Sequence, residues 1–148
     1  MAVVREIRAD EVDRLRPCLQ DLAAYHNKVS LHFKGAYPRG TDDDRLVWFK
    51  EDLDEHKSLI GVVEEAGEIA GFCKLNFAGT DGTLDILIVL GKYRGRGLGK
   101  LLMDWAIASF QKRNVKLMMV KVVAGNPAIK LYEKYGFQLS SLILWRNF

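Results

Sequence analysis

Apolar positions change their spacing along the chain. Up to about His56 they recur every three or four residues: Val12, Leu15, Leu19, Leu22 and Ala23, then Leu46, Phe49 and Leu53 with Lys50 on the same side. That period buries one face of a helix. Asp10 with Asp13 three positions on resembles a capping pair for the first helix, with Asp in place of the usual Glu or Gln. Pro17 should bend or split this helix, because it removes an amide donor and crowds the preceding turn. Thr41 can cap a second helix that runs to about His56. Asn27 to Thr41, with Phe33 and Tyr37, reads as the loop between them.

From Ser58 the period falls to two. Leu59 to Glu65 and Glu68 to Phe77, separated by Ala66-Gly67, predict a hairpin. Gly79-Thr80-Asp81-Gly82 reads as a second turn, and Thr83 to Leu90 as a strand so apolar that it must be central. After the glycine-rich stretch Gly91 to Gly99, the positions Leu98, Leu101, Leu102, Trp105, Ala106 and Ala108 set out an amphipathic helix ending near Asn114. Val115 to Val123 reads as a strand, Pro127 to Tyr135 as a short helix closed by Gly136, and the tail as one or two strands. In Ser140 to Phe148 apolar residues fall on both faces, so this last strand should need cover from a second subunit or from a helix of the same chain. The order is that of a mixed α/β (α+β) domain with a helical crossover from Leu90 to Val115, and no linker divides residues 1–148.

Composition narrows the function classes. With 49% hydrophobic and 28% charged residues over 148 positions, the chain is globular and not disordered. The longest apolar run, Ile86 to Leu90, falls far below the roughly 20 residues a bilayer requires. Arg5, Glu6, Arg8, Asp10 and Glu11 leave no room for a signal peptide, so no membrane partner and a cytoplasmic location are expected. Cys18 and Cys73 have no metal-ligand spacing, and no metal is expected. Lys plus Arg number 22 against 19 Asp plus Glu; the resulting +3 is too weak to imply nucleic acid.

The strongest candidate chemistry lies at Gly91-Lys92-Tyr93-Arg94-Gly95-Arg96-Gly97-Leu98-Gly99-Lys100, between a buried strand and a helix. The first amides of a helix lack partners inside it, and its dipole favours an anion. Glycines let the backbone approach a phosphate, and Lys92, Arg94, Arg96 and Lys100 add cations with no acid among them. A dinucleotide fingerprint starting at Gly95 would need Gly where Lys100 stands. A Walker loop ending at Gly99-Lys100 would need Gly at 94 and Ser or Thr at 101, where the chain has Arg94 and Leu101. Two readings remain from the residues alone: a pyrophosphate site, or a tight turn with solvated cations.

A second segment, Asn126-Pro127-Ala128-Ile129-Lys130-Leu131-Tyr132-Glu133-Lys134-Tyr135-Gly136-Phe137, lies one strand beyond the glycine helix. Together the two segments resemble the GNAT superfamily of CoA-dependent N-acetyltransferases. Arg94-Gly95-Arg96-Gly97-Leu98-Gly99 matches its Gln/Arg-x-x-Gly-x-Gly/Ala loop, and Ala128 to Phe137 matches its Ala-x-x-Leu-Tyr-x-x-x-Gly-Phe segment. The motifs cover about Thr83 to Phe137. Gly91 stands where members often carry Pro, and the stretch from Asn126 to Tyr132 is one residue shorter than the commonest spacing.

The resemblance implies a mostly antiparallel central sheet with splayed central strands, flanked by helices. Acetyl-CoA would be the co-substrate, its pantetheine arm pairing with backbone at Ile88, Val89 and Leu90, where one amide would bind the thioester oxygen. Arg94, Gly95, Arg96, Gly97, Leu98, Gly99 and Lys100 would hold the pyrophosphate, and Asn126 the pantetheine amide. Tyr132 would be the acid that protonates the departing thiolate. The acceptor, a small-molecule or peptide amine, would attack directly in a ternary complex, and some group must first take its proton. Asp85, the lone acid in Leu84 to Leu90, is the expected base, on the same strand face as Leu87 and Val89; alternatively it lies idle at the strand's wet end, and His26 follows as a base. The resemblance also implies a homodimer through the terminal strand near Trp145 or Leu144. The alternative function is a non-catalytic acyl-CoA sensor that keeps the site without turnover.

Overall fold

Pro17 splits the first helical segment. In the computed structural model, which describes residues 2–148, Ala9–Leu15 winds as a 3₁₀ turn and helix α1 (Arg16–Val29) begins anew with Pro17 in its first turn. There the missing amide hydrogen costs no intrahelical bond. The capping acid is Glu11 rather than Asp13: the Arg8 amide donates to Glu11 Oε2 at 3.0 Å. Helix α2 (Asp42–Asp54) is capped as expected, the Asp44 amide donating to Thr41 Oγ1 at 3.1 Å.

A three-residue strand β1 (Val4–Glu6) precedes these helices and was not visible as a pattern. Strands β2 (Ser58–Glu65) and β3 (Glu68–Ala78) form the hairpin around Ala66-Gly67. Strand β4 (Asp81–Val89) starts two residues earlier than the sequence suggested, so Asp81 and Gly82 belong to the ladder and not to the turn. Gly82 fits there because a side chain would strike the Phe110 ring packed against it. Helix α3 (Leu98–Lys112) crosses over to a short β5 (Leu117–Val120), and α4 (Ala128–Lys134) follows.

The sheet order is β1-β2-β3-β4-β5, antiparallel except for the parallel β4–β5 pair that the α3 crossover requires. Helices cover both faces. Val12, Leu15, Leu19, Leu46 and Phe49 pack with Ile60, Phe72, Ile86 and Ile88 on one side. Leu98, Leu102, Met103, Ala106, Phe110 and Tyr132 pack with Cys73, Leu75 and Leu84 on the other. No helix among the described residues is long and apolar enough to cross a membrane.

The expected final strand does not form, and residues 138–148 have no regular structure. The tail is attached instead by aromatic contact with the loop after α1. The Trp145 ring lies 5.1 Å from Phe33 and 6.0 Å from Tyr37, under the Arg39 guanidinium at 4.8 Å. Leu144 is left 90% exposed.

Candidate active site

Strands β4 and β5 part company halfway along. Their ladder runs from Asp81–Leu117 to Leu84–Val120, while β4 stays on β3 as far as Val89. The gap is a cleft of about 340 Å³ between the two strands. Its walls include Tyr25 and His26 of α1, Asp85 and Val89 of β4, Asn126 and Tyr132. The loop from Tyr93 to Gly99 closes one end.

Antiparallel pairing decides which β4 amides face this gap. Leu90 N donates to Ala70 O at 2.8 Å, so Leu90 spends its amide on β3. Bonded and non-bonded pairs alternate, which commits Ile88 opposite Phe72 in the same way. Leu87 and Val89 therefore point their amides into the cleft. Of the expected stretch Ile88, Val89 and Leu90, Val89 alone turns its amide to the cleft, and Leu87 does the same. The Val89 carbonyl already accepts from Arg94 Nε at 2.9 Å, which agrees with that direction.

Asp85 is the extra residue of a bulge. Lys74 lies opposite Ile86 and Leu75 opposite Leu84, leaving Asp85 without a partner on β3. Simple alternation therefore fails: Leu84, Leu87 and Val89 face α3, Ile86 and Ile88 face α1 and α2, and Asp85 is not on the Leu87 and Val89 face. Its carboxylate turns to Lys74, whose Nζ lies 3.4 Å away. Lys74 is 2% exposed, above the Phe49 ring, and also donates to Asp52 Oδ2 at 3.0 Å and Asn76 Oδ1 at 2.6 Å. Nothing in the sequence pattern marks this buried lysine as special except its place in an apolar run.

At the glycine loop, Gly97 caps α3 with φ +80°, a left-handed conformation that a side chain would strain. The first intrahelical bond is Leu101 N to Gly97 O, so the amides of Leu98, Gly99 and Lys100 are left for an anion. The four cations are less available than the sequence implied. Lys92 pairs with Glu68, Arg94 with Asp21 at 2.8 Å, and Lys100 with Asp104 at 2.9 Å. Arg96, lying over the Tyr93 ring, has no acidic partner among the described residues.

Tyr132 lines the cleft, 8% exposed, with its ring edge-on to Phe137 at 5.8 Å. Its hydroxyl has no hydrogen-bond partner among the described residues, and burial raises its pKa above 10.0. Asn126 Oδ1 accepts from the Ala128 amide at 2.9 Å, capping α4 and leaving its amino group for another acceptor. The next loop residue back, Gly125, needs to be glycine: φ is +102° and a side chain would strike the Val29 carbonyl. There Leu31 N donates to Ala124 O at 3.0 Å, tying the end of α1 to the loop that carries Asn126. Burial pushes both thiols, Cys18 and Cys73, up to about 12, which leaves neither as an acyl-carrying nucleophile at neutral pH. The described residues contain no cluster of three or more His, Cys, Asp or Glu side chains able to hold a metal ion.

A family model described as "Acetyltransferase (GNAT) family" matches residues 20–137. A [ribosomal protein bS18]-alanine N-acetyltransferase of Haemophilus influenzae is 34% identical over 73 residues, 49% of this chain and 50% of that protein. The chain thus spans about half the length of the curated relatives it matches. Among solved structures, a GCN5-related N-acetyltransferase from Ralstonia eutropha JMP134 superposes with a TM-score of 0.80 at 16% identity, covering 99% of each chain. The aminoglycoside acetyltransferase AAC(6')-Iy, in complex with the bisubstrate analogue CoA-S-monomethyl-acetylneamine, gives 0.74 at 17% identity, with coverage of 99% of this chain and 98% of that one.

Proposed function

The chain belongs to the GNAT acetyltransferase family, and from that premise we propose that it transfers acetyl from acetyl-CoA to a primary amine by direct attack. The observation that carries this reading is the interrupted β4–β5 ladder, which leaves the Val89 amide facing a cleft that ends at the α3 N-terminus. The residues present fit the co-substrate: Leu98, Gly99 and Lys100 offer unpaired amides, Arg96 an unengaged cation, and Asn126 a free amino group. Arg94 and Gly95 shape the loop, and Lys100 adds charge once it turns from Asp104.

Acetyl-CoA supplies an activated thioester; the chain's own groups do the rest. The Val89 amide stabilises negative charge on the thioester oxygen as the amine adds. Tyr132 gives its proton to sulfur as the carbon–sulfur bond breaks. An ammonium acceptor loses two protons in all. One must leave before attack, to Asp85 or His26 in the cleft; the other leaves nitrogen as the amide forms and returns Tyr132 to its neutral state.

Thermal unfolding with ligand titration and an amine screen test the reading. Acetyl-CoA at 100 times its Kd should stabilise the fold by about 2.7 kcal/mol, whereas ATP and NAD should not. Polyamines, neamine, amino acids and peptides with a free N-terminal alanine should then include at least one that releases CoA thiol. No response to acetyl-CoA would refute the cofactor. Binding without turnover of any amine would leave an acyl-CoA sensor. We also propose a homodimer, with the exposed Leu142 and Leu144 at the seam and Trp145 kept on its own loop. Light scattering at micromolar concentration should give twice 16.8 kDa, and a mass that stays at the monomer value on concentrating would exclude it.

A further inference from the structure

We propose that His26 takes the proton from the acceptor's ammonium group, and that Lys74 keeps Asp85 out of that role. The inference rests on the acetyl-transfer reading and assigns its base. Two cleft residues compete for the part, and their surroundings differ.

The Asp85 carboxylate serves a buried charge. The Lys74 ammonium has three protons and three oxygens within reach: Asp52 Oδ2, Asn76 Oδ1 and Asp85 Oδ2. Asn76 is itself oriented, since its Oδ1 also accepts from Ser58 Oγ at 2.8 Å. Asp85 thus supplies one of the two carboxylates that offset an ammonium only 2% exposed, and its Oδ2 is turned to that cation rather than left free for an acceptor. Asp85 and Asp52 together fasten the β4 bulge to α2 through this ammonium. That makes Asp85 a counter-ion first.

His26 has no such duty. It faces the same cleft from α1, and neither ring nitrogen has a partner among the described residues. Its ring is set edge-on to Tyr37 at 5.1 Å, and Tyr37 is held in turn by Asn27, whose Nδ2 donates to Tyr37 O at 2.8 Å and whose Oδ1 accepts from Tyr37 N at 3.0 Å. The charged and titratable groups around it are Arg45 of α2 and Tyr37 of the loop, with Tyr25 of α1, Asp85 of β4, Tyr93 and Arg94 of the glycine loop, Lys121 after β5 and Tyr132 of α4 on the cleft walls. Burial first and Arg45 second lower its pKa below 6.5. The shift favours the neutral imidazole, with a lone pair ready to accept. The proton passes from ammonium nitrogen to imidazole nitrogen, the neutral amine attacks, and the imidazolium then releases the proton to water, which its low pKa favours.

Two measurements test this. In a 13C-detected titration of the imidazole carbons, with the signal assigned by its loss in His26→Gln, the His26 midpoint should lie below 6.5 and move when acetyl-CoA is added. A midpoint indifferent to acetyl-CoA overturns the assignment. In pH profiles of kcat/KM with the fastest amine from the screen, the acidic limb should vanish in His26→Gln, with a loss of about 10²-fold or more at pH 7. Asp85→Asn should keep the limb. Should His26→Gln fold poorly, His26→Ala assayed with added 4-methylimidazole should regain activity at least tenfold over the same variant without it. A limb that survives in His26→Gln, or disappears in Asp85→Asn, overturns the proposal while leaving acetyl transfer intact; absence of turnover in the wild type with every amine refutes acetyl transfer itself.

Discussion

Tyr132→Phe should lower kcat about 10²-fold or more while leaving acetyl-CoA affinity unchanged. The substitution removes one oxygen and nothing else. The ring keeps its edge contact with Phe137 and its place in the core beside α3, and no hydrogen bond within the described residues is lost. Stability should therefore change little, which separates chemistry from folding. Burial raises the phenol above 10.0, so Tyr132 is protonated throughout the neutral range and holds a proton to give. The sign follows: on the basic side, wild-type turnover should persist through neutral pH and fall as the phenol ionises above 10.0. That basic limb should be missing from the slower variant. Stopped-flow thiol release with a saturating amine measures both. An undiminished kcat would reduce Tyr132 to packing.

The parts of this site that were legible in the sequence are those fixed by local backbone geometry. The glycine run between an apolar strand and an amphipathic helix had to be a helix N-terminus, and Gly97 is the left-handed cap there. The hairpin at Ala66-Gly67, the Thr41 cap and the split at Pro17 are likewise decided by neighbouring residues. What escaped depends on partners distant in the chain. A bulge is a property of two strands in register, so nothing within Leu84 to Leu90 announces that Asp85 is the surplus residue. Counting by twos then put Asp85 on the wrong face and hid its pairing with Lys74. The cations of the loop looked free because Asp21 and Glu68 lie far back in the sequence. The tail read as a strand from its alternation, yet Trp145 found Phe33 and Tyr37 instead of a ladder partner.

Strand pairing also decides which amides of the expected stretch Ile88, Val89 and Leu90 are free of β3. Resemblance to a family carries no information on that phase. The single bond from Leu90 N to Ala70 O sets the phase of the whole β3–β4 ladder, and the phase selects Leu87 and Val89. Arg94 on the Val89 carbonyl marks the same outward side. A pantetheine arm seeking that carbonyl would have to displace Arg94, which keeps Asp21 as an alternative partner.

Gly97→Asp should abolish acetyl-CoA binding, with Kd raised about 100-fold or more, equivalent to about 2.7 kcal/mol. Three effects act in the same direction. The φ of +80° costs a non-glycine residue about 1–2 kcal/mol. A Cβ at Gly97, itself a cleft-lining residue, meets no protein atom within 4 Å, so an aspartate there would have open room beside the helix end where an anion is expected. Its carboxylate would itself cap those amides and repel a pyrophosphate. Because three of the four nearby cations are already paired, only Arg96 is free to offset the added charge, and the loss should be large. Gly97→Ala isolates the backbone contribution: it carries the same strain without the charge, and should weaken binding far less. Calorimetric titration of both variants with CoA and with dephospho-CoA checks the assignment. Both ligands contain the pyrophosphate, so Gly97→Asp should reject them alike. Retention of either at wild-type affinity would move the pyrophosphate away from this helix end.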